Sequence, residues 1–243
     1  MKIGEQKLIR NSIFLLATEI STKLLGLVLF ALVARHLGAA EVGLYAFAIA
    51  VANLFVIAPK FGFERLVQKE VGRDTSLLYA YFREISVIKA GVSLCALILL
   101  WLFLRATGES HLLTVMLVAC FVFMYSFLEF INALFRAIQR PEFEVIVRAV
   151  FSVVNLLLGT AVLYAGRGLA DFVMMQVVSV GVATILGVVM AERIAAKVEY
   201  SWDWHLLWGH VVASAPFAGI IVALYFSHQT STLLLSAFTG KRR

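Results

Sequence analysis

Charged and amide side chains recur at helical spacing inside stretches that are otherwise almost wholly apolar. In the first stretch, Asn11, Thr18, Glu19, Thr22, Lys23 and Gly26 fall on one stripe. Tyr125, Ser126, Glu129, Asn132 and Arg136 make a second stripe, and Arg148, Ser152, Asn155 and Gly159 a third. Lys89 and Ser93 share a face in a fourth. A charge at the centre of a membrane helix costs about 2.5–3.5 kcal/mol on insertion scales, so each of these residues needs a reason to be there. If the stripes face one another, they enclose a polar cavity. Its charged members are Lys23, Lys89, Arg136 and Arg148 against Glu19 and Glu129, a net of +2 that would favour an anionic headgroup. Plainer roles compete. Lys89, Arg136 and Arg148 lie near span ends, where they can snorkel to the interface. Glu19 and Lys23, at i and i+4, can neutralise each other. Asn155 and the Ser and Gly residues can serve as helix-packing contacts. Binding is the chemistry on offer, because the chain has no HExxH, Gly-rich phosphate loop, CxxC or GxSxG motif. The expectation is no enzyme, no catalytic residue, no cofactor and no metal.

The elements that position these residues must be membrane spans. The chain is 62% hydrophobic and 15% charged, far from the soluble mean. A bilayer core about 30 Å thick takes roughly 20 apolar residues as a helix. Seven runs qualify: 13–34, 42–58, 85–104, 112–135, 145–166, 172–191 and 206–226. Core helices of a soluble protein would carry a charge every turn or two, yet 112–128 and 172–191 hold none. Barrel strands would alternate over about 10 residues. The first run is no cleaved leader, since it is too long and Glu19 and Lys23 interrupt it. An all-α, polytopic membrane protein of about seven helices is expected, with no soluble domain.

Loop charges orient it. Lys and Arg number thirteen on the N-terminal side of the membrane against six on the other, three of those six at the extreme C-terminus. The positive-inside rule then puts the N-terminus in the cytoplasm. That bias accounts for the net charge of +6 without nucleic acid, and lipid headgroups are the natural counter-charge. Between the second and third runs, Phe63, Leu66, Val67 and Val71 share one face of a segment ending at Arg73. This predicts a helix lying in the membrane interface, or a solvated loop helix. Trp202, Trp204 and Trp208 form an aromatic belt before the seventh run, which Pro216 should kink. Cys95 and Cys120 read as packing residues within spans.

Several short stretches carry a family likeness. Ala34-Arg35-His36-Leu37-Gly38 followed by Gly43-Leu44-Tyr45 resembles the A-R-x-L-G…G-x-Y stretch between the first two helices of bacterial polysaccharide flippases. These O-antigen-type oligosaccharide flippases, or polysaccharide biosynthesis proteins, belong to the multidrug/oligosaccharidyl-lipid/polysaccharide exporter superfamily. Phe61 to Val67, Arg136 to Glu142, Ala215-Pro216-Phe217 and Leu233 to Ser236 are similar to later segments in the same order. On physical grounds Gly38 and Gly43 permit a tight reversal, Arg35 marks the interface, and Tyr45 anchors there without touching substrate. The resemblance implies an inner-membrane flippase of polyprenyl-diphosphate-linked oligosaccharide for lipopolysaccharide or other surface polysaccharide. Polymerase or glycosyltransferase partners come with it. It also implies two six-helix lobes in alternating access. This chain would supply the first lobe over 1–200 and the opening helix of a truncated second over 201–243, a fragment expected to be inactive alone. Thr230-Ser231 stands where relatives often have an acidic residue. Competing readings are a drug/cation antiporter of the same superfamily, which would favour an acidic cavity, and a non-transporting scaffold. A seven-helix receptor would need an outside N-terminus or a cofactor lysine in 206–226, where none occurs.

Overall fold

A computed structural model of the chain describes residues 2–194, 209–210, 212–217 and 219, with side chains from Leu16 onward except Ala17. Its helices are α1 (Lys2–Leu37), α2 (Ala39–Lys60), α3 (Phe63–Arg73), α4 (Leu78–Ala106), α5 (Leu112–Ala137), α6 (Pro141–Tyr164) and α7 (Leu169–Ile194). A short 3-10 turn at Thr75–Leu77 leads into α4. Six stretches are long and apolar enough to cross a bilayer, and they coincide with the first six predicted runs. Within the seventh run, residues 209–210, 212–217 and 219 are helical, Pro216 among them. The rest of that run, the three tryptophans, Thr230-Ser231 and the basic C-terminus lie outside the described residues. Large apolar side chains such as Leu27, Leu94 and Ile185 stand 64%, 61% and 68% exposed on the outer faces. Soluble monomers do not display such a surface, which is what lipid contact requires. The chain is an all-helical, multi-pass membrane protein.

Local signals set the joints. Gly38 reverses the chain between α1 and α2 at φ 83, a conformation that side-chain-bearing residues seldom adopt. Gly43 lies inside α2, so only one of the two glycines expected in that reversal takes part. Gly62, at φ 78, turns the chain from α2 into α3. Asp74 accepts from the Ser76 backbone N–H at 3.0 Å at the start of the 3-10 turn. The Ser76 hydroxyl and N–H together hold the Asp74 carboxyl below the usual carboxylate range. Pro141 opens α6, where its missing N–H costs nothing.

α5 is the hub, touching α2, α3, α4, α6 and α7. It buries Val118, Leu128, Phe130, Ile131 and Leu134 on several faces. Glycines let neighbouring helices approach closely. A Cβ at Gly187 of α7 would lie 3.0 Å from the Ile131 side chain. One at Gly159 of α6 would lie 3.0 Å from Leu29 and 3.1 Å from Phe172.

α3 forms over the span its periodicity predicts, but its apolar face is not given to lipid. Phe63, Leu66, Val67 and Val71 are all at or below 1% exposure and pack in a core cluster with residues of α5. Protein covers this face because the Gly62 turn folds α3 back under the bundle. The cysteines also differ from expectation in part: Cys120 is half-buried, whereas Cys95 is exposed on the outer face of α4.

Candidate functional site

The described residues form a cleft bounded by α1, α2, α5 and α6, with α3 and α7 each closing one end, in two compartments that meet at Thr22 and Tyr125. Tyr125 is midway along α5, so the boundary falls near the middle of the bundle. The first compartment, about 440 Å³, is lined by Glu19, Lys23, Lys60, Glu64, Glu129 and Arg148. The second, about 270 Å³, is walled by apolar side chains including Leu29, Val33, Phe121, Phe151 and Phe172. At the boundary the Ser152 hydroxyl donates to Thr22 Oγ1 at 3.3 Å, tying α6 to α1.

In the charged compartment, Lys23 Nζ donates to Glu19 Oε1 at 2.7 Å, one turn apart on α1. Arg148 spans two carboxylates: Nη2 donates to Glu129 Oε2 at 2.9 Å and Nε to Glu144 Oε1 at 2.8 Å. Glu144 Oε1 also accepts from Arg136 Nη1 at 2.5 Å. One buried carboxylate oxygen therefore holds two guanidiniums together behind the cleft wall. The Glu129 and Glu144 oxygens not engaged in these bonds, Oε1 and Oε2 respectively, are buried without a hydrogen-bond partner. Such groups are costly in an apolar setting and mark strained or exchangeable contacts.

Of the residues expected to form a cavity, Glu19, Lys23, Glu129 and Arg148 converge there. Asn155 lies in the apolar compartment instead, its Oδ1 buried and unpartnered. Arg136 stands behind the wall on Glu144. Lys89 is a correction, since it neither lines the cleft nor snorkels. It is 1% exposed, and its Nζ donates to the Pro59 carbonyl at 2.9 Å and to Ser126 Oγ at 3.2 Å. The carbonyls ending a helix lack intrahelical partners, and an ammonium at that end also meets the negative pole of the helix dipole. Lys89 thus caps α2. The expected +2 is a second correction: three cations, Lys23, Lys60 and Arg148, face three carboxylates, Glu19, Glu64 and Glu129. Losing Lys89 and Arg136 to other tasks and gaining Lys60 and Glu64 from the elbow balances the compartment. Asn11 lies among the residues whose side chains are not described.

Sequence reasoning missed Glu64, which shared a helix with the expected interface face, and Lys60, counted as a loop charge. It also missed the Tyr45–Gln176 pair. Tyr45 is not an exposed anchor; its hydroxyl donates to Gln176 Oε1 at 2.9 Å, and both line the apolar compartment. A glutamine, the one amide side chain in the uncharged 172–191 run, was the available signal. Among the described residues, no group of three or more His, Cys, Asp or Glu gathers to hold a metal.

A helical bundle that crosses a bilayer and holds an internal cleft, charged in one half and apolar in the other, fits a transporter. The chain belongs to the polysaccharide biosynthesis protein family, whose model matches it over residues 8–243. No curated protein and no solved structure matches it.

Proposed function

We propose that the protein takes part in moving polyprenyl-diphosphate-linked oligosaccharide from the inner to the outer leaflet of a bacterial cytoplasmic membrane. Its six described spans would act as the first lobe of a two-lobe exporter, with the N-terminus in the cytoplasm. The observation that carries this reading is the meeting of the two compartments at Thr22 and Tyr125. A lipid-linked sugar diphosphate is itself charged at one end and apolar at the other. The charged compartment lies in the half of the bundle whose loops hold most of the lysines and arginines, the cytoplasmic half by the positive-inside rule. Arg148 offers the planar donor set that suits a phosphate oxygen pair. Balanced lining charge gives no advantage to the drug/cation antiporter reading, which calls for an acidic cavity.

A photoaffinity experiment tests this. A polyprenyl diphosphate sugar with a diazirine on its first isoprene unit is irradiated with the protein in proteoliposomes, and the labelled peptides are sequenced. Labelling of α5 and α6 around Phe121, Tyr125 and Phe151, suppressed by unlabelled substrate, is the expected result. Labelling confined to outer-face residues such as Leu94 and Leu102 would reject the cleft. Suppression by tetraphenylphosphonium instead would favour the antiporter.

A further inference from the structure

The two carboxylates on Arg148 are unequal. Glu144, on the same helix, is 3% exposed at its side chain, holds both Arg148 and Arg136, and stays out of the cleft lining. Glu129, on α5, lines the cleft, makes its one ion pair with Arg148 beside the Tyr125 side chain, and keeps Oε1 buried outside that pair. Its Oε2 occupies Arg148 Nη2, a terminal nitrogen that an incoming anion would need, while Glu144 holds Nε. The lining charges balance, three cations against three carboxylates, so an anion gains a cation only by taking it from a carboxylate.

We propose that Glu129 is a built-in surrogate for the substrate's anionic group, so that loading exchanges one Arg148 partner for another. The inference rests on the cleft reading above and adds its regulation. With the cleft empty, Glu129 satisfies Arg148 Nη2, while Glu144 satisfies Nε, so the part-buried guanidinium keeps both donors engaged in low-polarity surroundings. When a diphosphate arrives, its oxygens take the Nη2 side in a paired geometry that a single carboxylate oxygen does not supply. Glu144 keeps Arg148 oriented throughout, because its hold on two arginines is the stronger anchor. Lys60 lines the same compartment and gives the released Glu129 carboxylate a cation to face. The exchange makes the site selective. A neutral lipid leaves Glu129 in place, and a weakly charged one competes poorly.

The test compares binding of farnesyl diphosphate and farnesol to the purified full chain in nanodiscs. The forms compared are wild type, Glu129→Gln, Glu129→Asp, Glu19→Gln and Arg148→Gln. Glu129→Gln should bind farnesyl diphosphate about tenfold tighter than wild type, the scale of one charge-assisted hydrogen bond no longer in competition. Glu129→Asp keeps the charge but stretches the pair, so its affinity should fall between the two. Glu19→Gln removes the same charge from the same compartment without breaking a hydrogen bond to Arg148, and should tighten binding less than Glu129→Gln does. If Glu19→Gln tightens binding as much as Glu129→Gln, net charge is the cause and the surrogate is overturned. It is also overturned if Glu129→Gln and Glu129→Asp both bind no tighter than wild type while Arg148→Gln loses binding; the cleft reading then survives. If every form binds farnesyl diphosphate and farnesol alike, the cleft reading and the surrogate fall together.

Discussion

Arg136 and Arg148 converge on one oxygen of Glu144, the most exacting contact in the bundle. Replacing Glu144 with Gln keeps an acceptor but removes the charge that holds two guanidiniums close. Breaking a buried ion pair by removing one partner costs about 3–5 kcal/mol, so the variant should melt well below wild type in detergent. Glu19→Gln, whose partner Lys23 is 75% exposed at its side chain, should leave the midpoint nearly unchanged. Lys89→Met sets two effects against each other. It relieves the burial of an ammonium but strands the Pro59 carbonyl at the end of α2. Because an unsatisfied buried acceptor costs about 1–3 kcal/mol and lipid offers no water to replace the donor, the midpoint should fall. At this scale the sequence disclosed which residues were polar and on which stripe, but, beyond the Glu19–Lys23 pair one turn apart, not their partners. Lys89 and Arg148 look alike in sequence, each a cation in an apolar run. Only tertiary packing sends one to a helix terminus and the other to a cleft.

Among the elements, α3 separates local from non-local information most clearly. Its length and apolar face were legible from the spacing of Phe63, Leu66, Val67 and Val71. What covers that face was not, because periodicity reports that a surface is to be hidden and is silent about lipid or protein. Core burial makes a firm expectation: Val67→Asp should abolish the folded protein on size exclusion, whereas exposed Arg65→Ala should shift the melting midpoint negligibly. A helix lodged in the interface would tolerate the first change far better. Close approach of α7 to α5 gives a second expectation. Gly187→Val would push a branched side chain into Ile131 and should destabilise by about 1–3 kcal/mol. Glycine at that point is invisible as a requirement until the neighbouring helix is placed.

For the whole molecule, the loop charges of the six spans predict an orientation that a labelling experiment reads directly. In a background with Cys95 and Cys120 replaced by Ser, Ser110→Cys lies between α4 and α5, and Thr75→Cys between α3 and α4. A membrane-impermeant maleimide applied to intact cells should label the first and spare the second; the reverse pattern would invert the proposed topology. The places and order of the first six spans were written in hydropathy, which needs only composition and length. The central place of α5 was not, since its apolar run resembles that of any lipid-facing helix. That place has a consequence for biosynthesis. α5 leaves the ribosome before α6 and α7 exist, so Glu129 enters the translocon ahead of Arg148, and Arg136 ahead of Glu144. Neither charge has its mate until the next hairpin arm is made. The two helices should therefore partition into lipid as one unit, with α5 waiting at the insertion site until α6 arrives to neutralise it.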